Sequence, residues 1–269
     1  MVKIIFDIGG TNTRISSIDG NKLGNVLKID TPTDLENAKK IIIESIRKIA
    51  DGRKIESIIG GMPGIVKDGV LINAPNVRNW NGFDIRSFLQ ENFCEKIFIY
   101  NDADLAGLGE SIYGAGRGKE IVGYIGIGTG VGGARVTGGD IDKSSIGFEP
   151  GHHILDITSG KTFDIVSGLA IFTKHKKSAK QVGQAEIKKL TPTLAAGLYN
   201  AICFWSPDVL VVGGSLMNEE TAYKIKDIQE ALEKIKTEMK ILPKLPEVRK
   251  AELGDFAGLY GALVMTGRM

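Results

Sequence analysis

The sequence predicts an α/β protein built from two similar halves, and three observations carry that reading. Short β-branched, apolar runs alternate with amphipathic helical stretches along the chain. A unit of apolar strand, glycine-rich break and second strand occurs twice, near residue 9 and near residue 129, and an internal echo of this kind signals related halves. Glycine accounts for 35 of 269 residues, nearly twice the usual ~7%. With no G-X-Y period, that excess points to tight turns and to backbone that approaches a ligand closely.

The elements follow in order. A three-stranded antiparallel meander is expected over 2–6, 13–18 and 23–29, broken first at Asp7-Ile8-Gly9-Gly10-Thr11 and then at Asp19-Gly20-Asn21. A helix runs from Asp34 to about Ala50, because Ala38, Ile41, Ile42, Ser45, Ile46 and Ile49 recur at helical spacing before Asp51-Gly52 stops it. Strands over 55–59 and 97–100 run into Gly60-Gly61-Met62-Pro63-Gly64 and Asn101-Asp102, and 105–112 reads as helix. The opening theme returns with a strand over 121–127, the break Gly126-Ile127-Gly128-Thr129-Gly130-Val131-Gly132-Gly133, a second strand through Ala134-Arg135-Val136 and a turn at Gly138-Gly139-Asp140. A further strand over 209–212 ends at Gly213-Gly214, an amphipathic helix spans 225–239, and a closing helix spans 255–265.

Composition excludes several classes. The charge balance, 34 Lys+Arg against 32 Asp+Glu, gives +2, so no basic stripe supports nucleic-acid binding. A hydrophobic fraction of 42% is too high for a disordered chain. Cys94 and Cys203 lie far apart; they could form one disulfide at most and are read as reduced core thiols. No apolar run reaches the ~18 residues of a membrane span, and Asp7 interrupts the first apolar stretch where a signal peptide would need its core. A soluble, cytoplasmic protein that begins directly with a strand is expected.

Both glycine turns suit phosphate. Glycine lets backbone N–H groups converge, and Thr11 and Thr129 add hydroxyl donors. Asp7, at the end of the first strand, could hold Mg²⁺ through its oxygens or through water. Either turn alone could equally be a plain hairpin. Gly128-Thr129-Gly130-Val131-Gly132-Gly133 satisfies G-x-G-x-x-G, but that fingerprint needs a helix to follow, and a strand follows here. Asp102, between a strand and a helix, is placed to take a proton from a substrate hydroxyl or, alternatively, to cap the helix. Asn76 can hold a hydroxylated ligand or form an Asx turn. Glu149-Pro150-Gly151-His152-His153 gathers a carboxylate and two imidazoles around a turn, and either histidine could bind a metal, bind a hydroxyl, or be structural.

In this order and spacing, the pieces resemble the ROK family of sugar kinases and repressors. The resemblance rests on Asp7-Ile8-Gly9-Gly10-Thr11-Asn12-Thr13-Arg14, on Met62-Pro63-Gly64-Ile65-Val66 with Asn73-Ala74-Pro75-Asn76, and on Asn101-Asp102-Ala103. It continues through the turn from Ile127 to Gly133, Glu149-Pro150-Gly151-His152, Val211-Val212-Gly213-Gly214, and the closing segment from Leu253 to Ala262. It implies two RNase-H-like domains of the actin/hexokinase superfamily around a central cleft, one over 1–103 completed by a C-terminal helix over 255–269, the other over 104–254. It implies an ATP-dependent hexokinase or glucokinase with Mg²⁺, acting as a homodimer on a hexose. Asp102 would be the general base for the 6-hydroxyl. Gly61, Asn76, Asn101, Asp102, Glu149 and His152 would line the sugar. Asp7, Gly9, Gly10, Thr11, Thr129 and Gly130 would face the phosphates, with Asp7 nearest the metal, and Gly213 and Gly214 would let adenosine approach.

The chain departs from the family pattern after Glu149-x-Gly151-His152. Many members carry a cysteine-rich zinc loop there, whereas His153-Ile154-Leu155-Asp156-Ile157-Thr158-Ser159-Gly160-Lys161 holds no Cys, so no structural zinc is expected. A sugar-touching Glu of the family aligns with Phe163, beside Asp164. An N-acetylhexosamine kinase or a fructokinase is the near alternative; a sugar-binding regulator without catalysis is the distant one. With a first strand expected from Val2, the helix-turn-helix of family repressors is not expected.

Overall fold

The computed structural model describes residues 1–218 and 222–268. The chain divides into two compact units. One comprises Met1–Gly109, Lys143–Gly147 and Phe256–Met269; the other comprises Glu110–Asp142 and Phe148–Asp255. Met269, the last residue of the segment expected to close the first half, lies outside the described residues, as do residues 219–221.

The first unit is built on β1 (Val2–Ile8), β2 (Asn12–Asp19), β3 (Lys22–Asp30), α1 (Leu35–Ala50) and β4 (Ile55–Met62). It continues with the small hairpin β5 (Ile65–Lys67) and β6 (Val70–Asn73), then α2 (Ile85–Asn92), β7 (Ile97–Asn101) and α3 (Asp102–Ile112), whose end passes into the second unit. The sheet order is β3-β2-β1-β4-β7. The meander pairs antiparallel, while β4 and β7 run parallel to β1. α1 forms where the sequence places it: the Asp34 carboxylate accepts the Asn37 N–H at 2.8 Å, Ala38, Ile42, Ile46 and Ala50 are buried, and Asp51 ends the helix at φ +50°. The core gathers β-strand Ile and Val side chains with Phe6, Trp80 and Leu89.

α3 starts at Asp102, three residues earlier than the sequence pattern suggests. Its first turn carries Asp102 and Asp104, which hide helical periodicity but suit the positive end of a helix. The C-terminal helix (Ala257–Thr266) packs on β1 and β4 and meets α3 backbone to backbone. A Cβ on Gly261 would lie 1.8 Å from the Leu105 carbonyl oxygen, and one on Gly109 would lie 2.3 Å from that of Ala257.

The second unit repeats the sheet. β8 (Ile121–Ile127), β9 (Val131–Thr137) and β10 (Asp140–Ile141) form an antiparallel meander; β13 (Val209–Gly213) and β14 (Glu247–Lys250) add in parallel, in the order β10-β9-β8-β13-β14. Between the two parts lie the hairpin β11 (Ile154–Asp156) and β12 (Lys161–Thr162), α4 (Gly168–His175), the short α5 (Ala179–Val182) and α6 (Gln184–Lys189), and α7 (Thr191–Trp205). α8 (Ser215–Asn218) follows β13, and α9 (Ile225–Met239) packs on α7 and β14. The second core centres on Phe163, Leu198, Ile202, Leu210 and Val212. The strand–turn–strand echo read from the sequence is thus an echo of sheet topology. Two five-stranded mixed sheets, each covered by its own helices, make the chain α/β.

Candidate active site

The first glycine turn joins β1 to β2. Its carbonyls are tied back into the protein. The Asn12 oxygen accepts the Gly9 N–H at 2.9 Å, the Thr11 oxygen accepts the Thr31 N–H at 2.9 Å, and the Gly9 oxygen accepts the Thr31 hydroxyl at 2.8 Å. Thr13 and Thr31 share a further hydroxyl bond of 2.9 Å. A glycine turn whose carbonyls face into the scaffold suits an anion.

The second turn, joining β8 to β9, is built on the same rule with different parts. The Gly130 oxygen accepts the Gly128 N–H at 2.9 Å. The Gly128 oxygen accepts the Gly168 N–H at 2.8 Å, and the Thr129 oxygen accepts the Leu169 N–H at 3.0 Å. The Val131 N–H donates to Asp164 Oδ1 at 2.7 Å. Gly213-Gly214 adjoins this turn: at Gly214, φ is +88° and a Cβ would lie 2.4 Å from the Ile127 oxygen. The glycine there is required by the strand beside it, whatever else approaches.

Asp7 stands near the end of β1, level with Arg14 on β2. A Cβ on Gly258 would lie 2.6 Å from Asp7 Cγ, so the carboxylate rests against the first turn of the C-terminal helix, where the N-terminal dipole favours an anion. Asn76 sits in the 3₁₀ segment Pro75–Trp80 and touches the first glycine turn, because a Cβ on Gly10 would meet Asn76 Cβ at 2.8 Å. The structure therefore brings Asn76, Gly9, Gly10 and Thr11 together.

Asn101 is the residue that caps α3. Its Oδ1 accepts the N–H groups of Ala103 at 2.8 Å and Asp104 at 3.0 Å, and its Nδ2 donates to the Gly64 oxygen at 2.8 Å. One amide hydrogen remains for a ligand. Asp102 is thereby released from the cap role that the sequence left open, although its Oδ1 also takes the Ala103 N–H at 2.8 Å. Gly61 makes room for it: a Cβ there would lie 3.1 Å from Asp102 Cα. Gly61, Asn101 and Asp102 thus converge at the carboxyl ends of β4 and β7, where open α/β sheets place ligands.

In the second unit, Glu149 precedes the 3₁₀ turn Pro150–His152, which lies on β9; a Cβ on Gly151 would come within 2.3 Å of the Val131 oxygen. His152 Nε2 is 3.9 Å from Glu149 Oε2, and its side chain is 56% exposed. Burial raises the Glu149 carboxyl above its ordinary value, with His152 opposing that rise. His153 is structural. Its Nδ1 donates to the Pro150 oxygen at 2.6 Å, its Nε2 faces Asn200 Nδ2 at 3.3 Å, and its ring packs 5.1 Å from that of Phe163.

These contacts order the segment that follows His152. The Phe163 N–H closes onto the His153 oxygen at 3.0 Å, and Asp156 accepts the Thr158 N–H at 2.9 Å to turn the β11–β12 hairpin. Among the described residues no group of three or more His, Cys, Asp or Glu side chains is placed to hold a metal ion. Phe163 itself is fully buried, against the position where Gly197 lacks a Cβ.

Burial lowers the His153 imidazole below its ordinary value, partly offset by its bond to Pro150. A histidine depressed in the folded state contributes stability that is complete above its unfolded value of ~6.5 and is lost as the pH falls through and below it. Thermal unfolding of wild type and His153→Asn between pH 8 and pH 5 should therefore show a gap in Tm that narrows on acidification. A gap independent of pH would contradict this.

The sequence did not mark Thr31 or Asn200 as site components; Gly258 entered only as one of the small residues in the closing segment, and Asp164 only as the neighbour of Phe163 on the sugar side.

A family model described as the ROK family matches residues 4–165 and 157–268. The chain is 31% identical to a polyphosphate glucokinase of Mycobacterium tuberculosis over 78% of this chain and 76% of that one. It is 26% identical to an N-acetyl-D-glucosamine kinase of Yersinia pseudotuberculosis over 96% of each. Among solved structures it is similar to a ROK hexokinase from Thermus thermophilus, with a TM-score of 0.77 and 25% identity over the whole of both chains.

Proposed function

The chain belongs to the ROK family and is an ATP-dependent sugar kinase, and we propose that it transfers the γ-phosphoryl group of ATP to the 6-hydroxyl of a hexose, with glucose as the acceptor. The observation that carries this reading is the pair of glycine turns whose carbonyls are tied back into the protein, in a chain that also sets Asp102 at a strand end.

In this reading the 6-hydroxyl oxygen attacks the γ-phosphorus, the bond to the bridging oxygen of ADP breaks, and Asp102 takes the hydroxyl proton. Asn76, the remaining amide hydrogen of Asn101, Glu149 and His152 orient the sugar. The amides at Gly10, Thr11, Thr129 and Gly130 receive phosphate oxygens, and Gly213 and Gly214 adjoin the adenosine. Such a reaction depends on positioning and on offsetting charge more than on covalent chemistry. Asp7 is a hard oxygen donor and fits Mg²⁺; when bound, the ion would offset negative charge on the phosphates. The reading places the enzyme in the cytoplasm as a homodimer that acts without nucleic acid. No described helix is long and apolar enough to cross a membrane.

An N-acetylhexosamine acceptor or a polyphosphate donor is the second reading, favoured by what the Yersinia and Mycobacterium relatives are named for. Phosphorylation assays over glucose, mannose, fructose, N-acetylglucosamine and N-acetylmannosamine, with ATP, GTP and polyphosphate as donors, separate these. Highest kcat/KM with glucose and ATP is expected. A higher value for an N-acetyl sugar, or with polyphosphate, would transfer the proposal to that pair.

A further inference from the structure

We infer that Asp164 is a positioning residue for the donor phosphates, acting through the second phosphate turn, and is not a sugar contact. The inference rests on the kinase reading above. Asp164 lies in the segment that follows Glu149 and His152, so proximity in sequence alone would assign it to the sugar. Its bonds point elsewhere. Oδ1 accepts the Val131 N–H at 2.7 Å, and Oδ2 accepts the Ser167 hydroxyl at 3.3 Å. Both carboxylate oxygens are thus committed to holding protein. The same segment grips the other side of the turn, because Gly168 and Leu169 donate their N–H groups to the oxygens of Gly128 and Thr129.

The segment is itself anchored. Phe163 is fully buried, the Ser167 N–H returns to the Asp164 oxygen at 2.9 Å, and Ser167 caps α4 by accepting the Ala170 N–H at 3.3 Å. Gly168 fits because a Cβ there would lie 3.0 Å from the Gly128 oxygen. Residues 163–169 therefore act as a clamp. They donate to two carbonyls of the turn and, through Asp164, accept from the amide that follows it. Without the Asp164 bond the Val131 N–H has lost its acceptor, and the Thr129-Gly130 amides lose one of the two sides that fix their direction. A carboxylate beside a phosphate site would repel the ligand if it faced it. Held on an amide of the turn, it serves as a strong, charge-assisted acceptor instead.

The test compares Asp164→Ala with Asp164→Asn. Asparagine keeps an acceptor oxygen for the Val131 N–H and can still bond the Ser167 hydroxyl; alanine keeps neither. ATP affinity is read by titration calorimetry without turnover, and KM for glucose by steady-state assay. Asp164→Ala is expected to weaken ATP binding by about ten-fold or more while the glucose KM stays within about two-fold, and Asp164→Asn is expected to restore most of the ATP affinity. A rise in glucose KM with unchanged ATP affinity in either variant would make Asp164 a sugar contact and overturn the inference. So would unchanged ATP affinity in a folded Asp164→Ala. If the alanine variant does not fold, the asparagine variant decides, since a sugar-binding carboxylate would raise the glucose KM when its charge is removed. Wild-type protein that binds no ATP would instead defeat the kinase reading itself, which separates the two failures.

Discussion

Asp102→Asn is expected to lower kcat by about 10²–10⁴-fold or more and to leave ATP affinity unchanged. The substitution is nearly isosteric. It keeps an oxygen for the Ala103 N–H that Asp102 Oδ1 accepts at 2.8 Å, and it leaves Asn101 in charge of the α3 cap. The backbone around the site has no reason to move. What disappears is the capacity to take a proton as the hydroxyl oxygen attacks phosphorus. Steady-state kinetics read the loss, and calorimetry with ATP checks that binding survives. Turnover within about ten-fold of wild type would remove Asp102 from the role of general base.

Glu110→Ala is expected to be the most damaging single truncation for stability. Glu110 is 0% exposed and accepts three backbone N–H groups: Ala115 at 2.8 Å, Glu252 at 3.1 Å and Leu253 at 2.8 Å. The loop after α3 and the segment after β14 are therefore held on one carboxylate. Gly114 accommodates it, since a Cβ there would lie 2.0 Å from Glu110 Oε2. A buried donor left without an acceptor costs about 1–3 kcal/mol, so three of them cost about 3 kcal/mol or more. At about 2–4 °C per kcal/mol for a domain of this size, Tm should fall by about 6–12 °C. Glutamine is no rescue, because its amide nitrogen would face N–H donors. Calorimetric unfolding of Glu110→Ala checks this, and a fall of less than about 2 °C would contradict it.

Glu110 also shows where sequence reading stops. Nothing in the pattern Leu108-Gly109-Glu110-Ser111 says that a charged residue on a helix will be fully enclosed, because its partners lie more than 130 positions away in part. The three strands of the first meander and β8 and β9 of the second were legible as apolar runs closed by glycine or an Asn/Asp turn, whereas β10, only Asp140-Ile141, was read as part of a turn. α1 and α9 were legible because one face is polar. α7 was not. Leu194, Ala195, Leu198, Tyr199, Ala201, Ile202 and Trp205 are all buried, and a helix enclosed on most sides carries little amphipathic contrast. β14, Glu247-Val248-Arg249-Lys250, is a charged edge strand with one buried residue, too short and too polar to announce itself.

The site divides in the same way. The tips of the two glycine turns could be read because only glycine and a small hydroxyl residue suit them. The braces could not, because Thr31 reaches Gly9 across 22 positions and Asp164 reaches Val131 across 33. The turn geometry is local, but its rigidity is supplied from elsewhere in the fold. The segment after His152 follows this rule as well: the missing cysteines were plain in the sequence, whereas the bonds of His153 to Pro150 and Asn200 are tertiary.

The most direct test of the account is ³¹P NMR of the products formed from ATP and glucose. The account predicts a phosphate monoester on the 6-hydroxyl, formed in equal amount to ADP, with no ester formed from 6-deoxyglucose. ADP release that does not depend on sugar, or an ester at another hydroxyl, would contradict it.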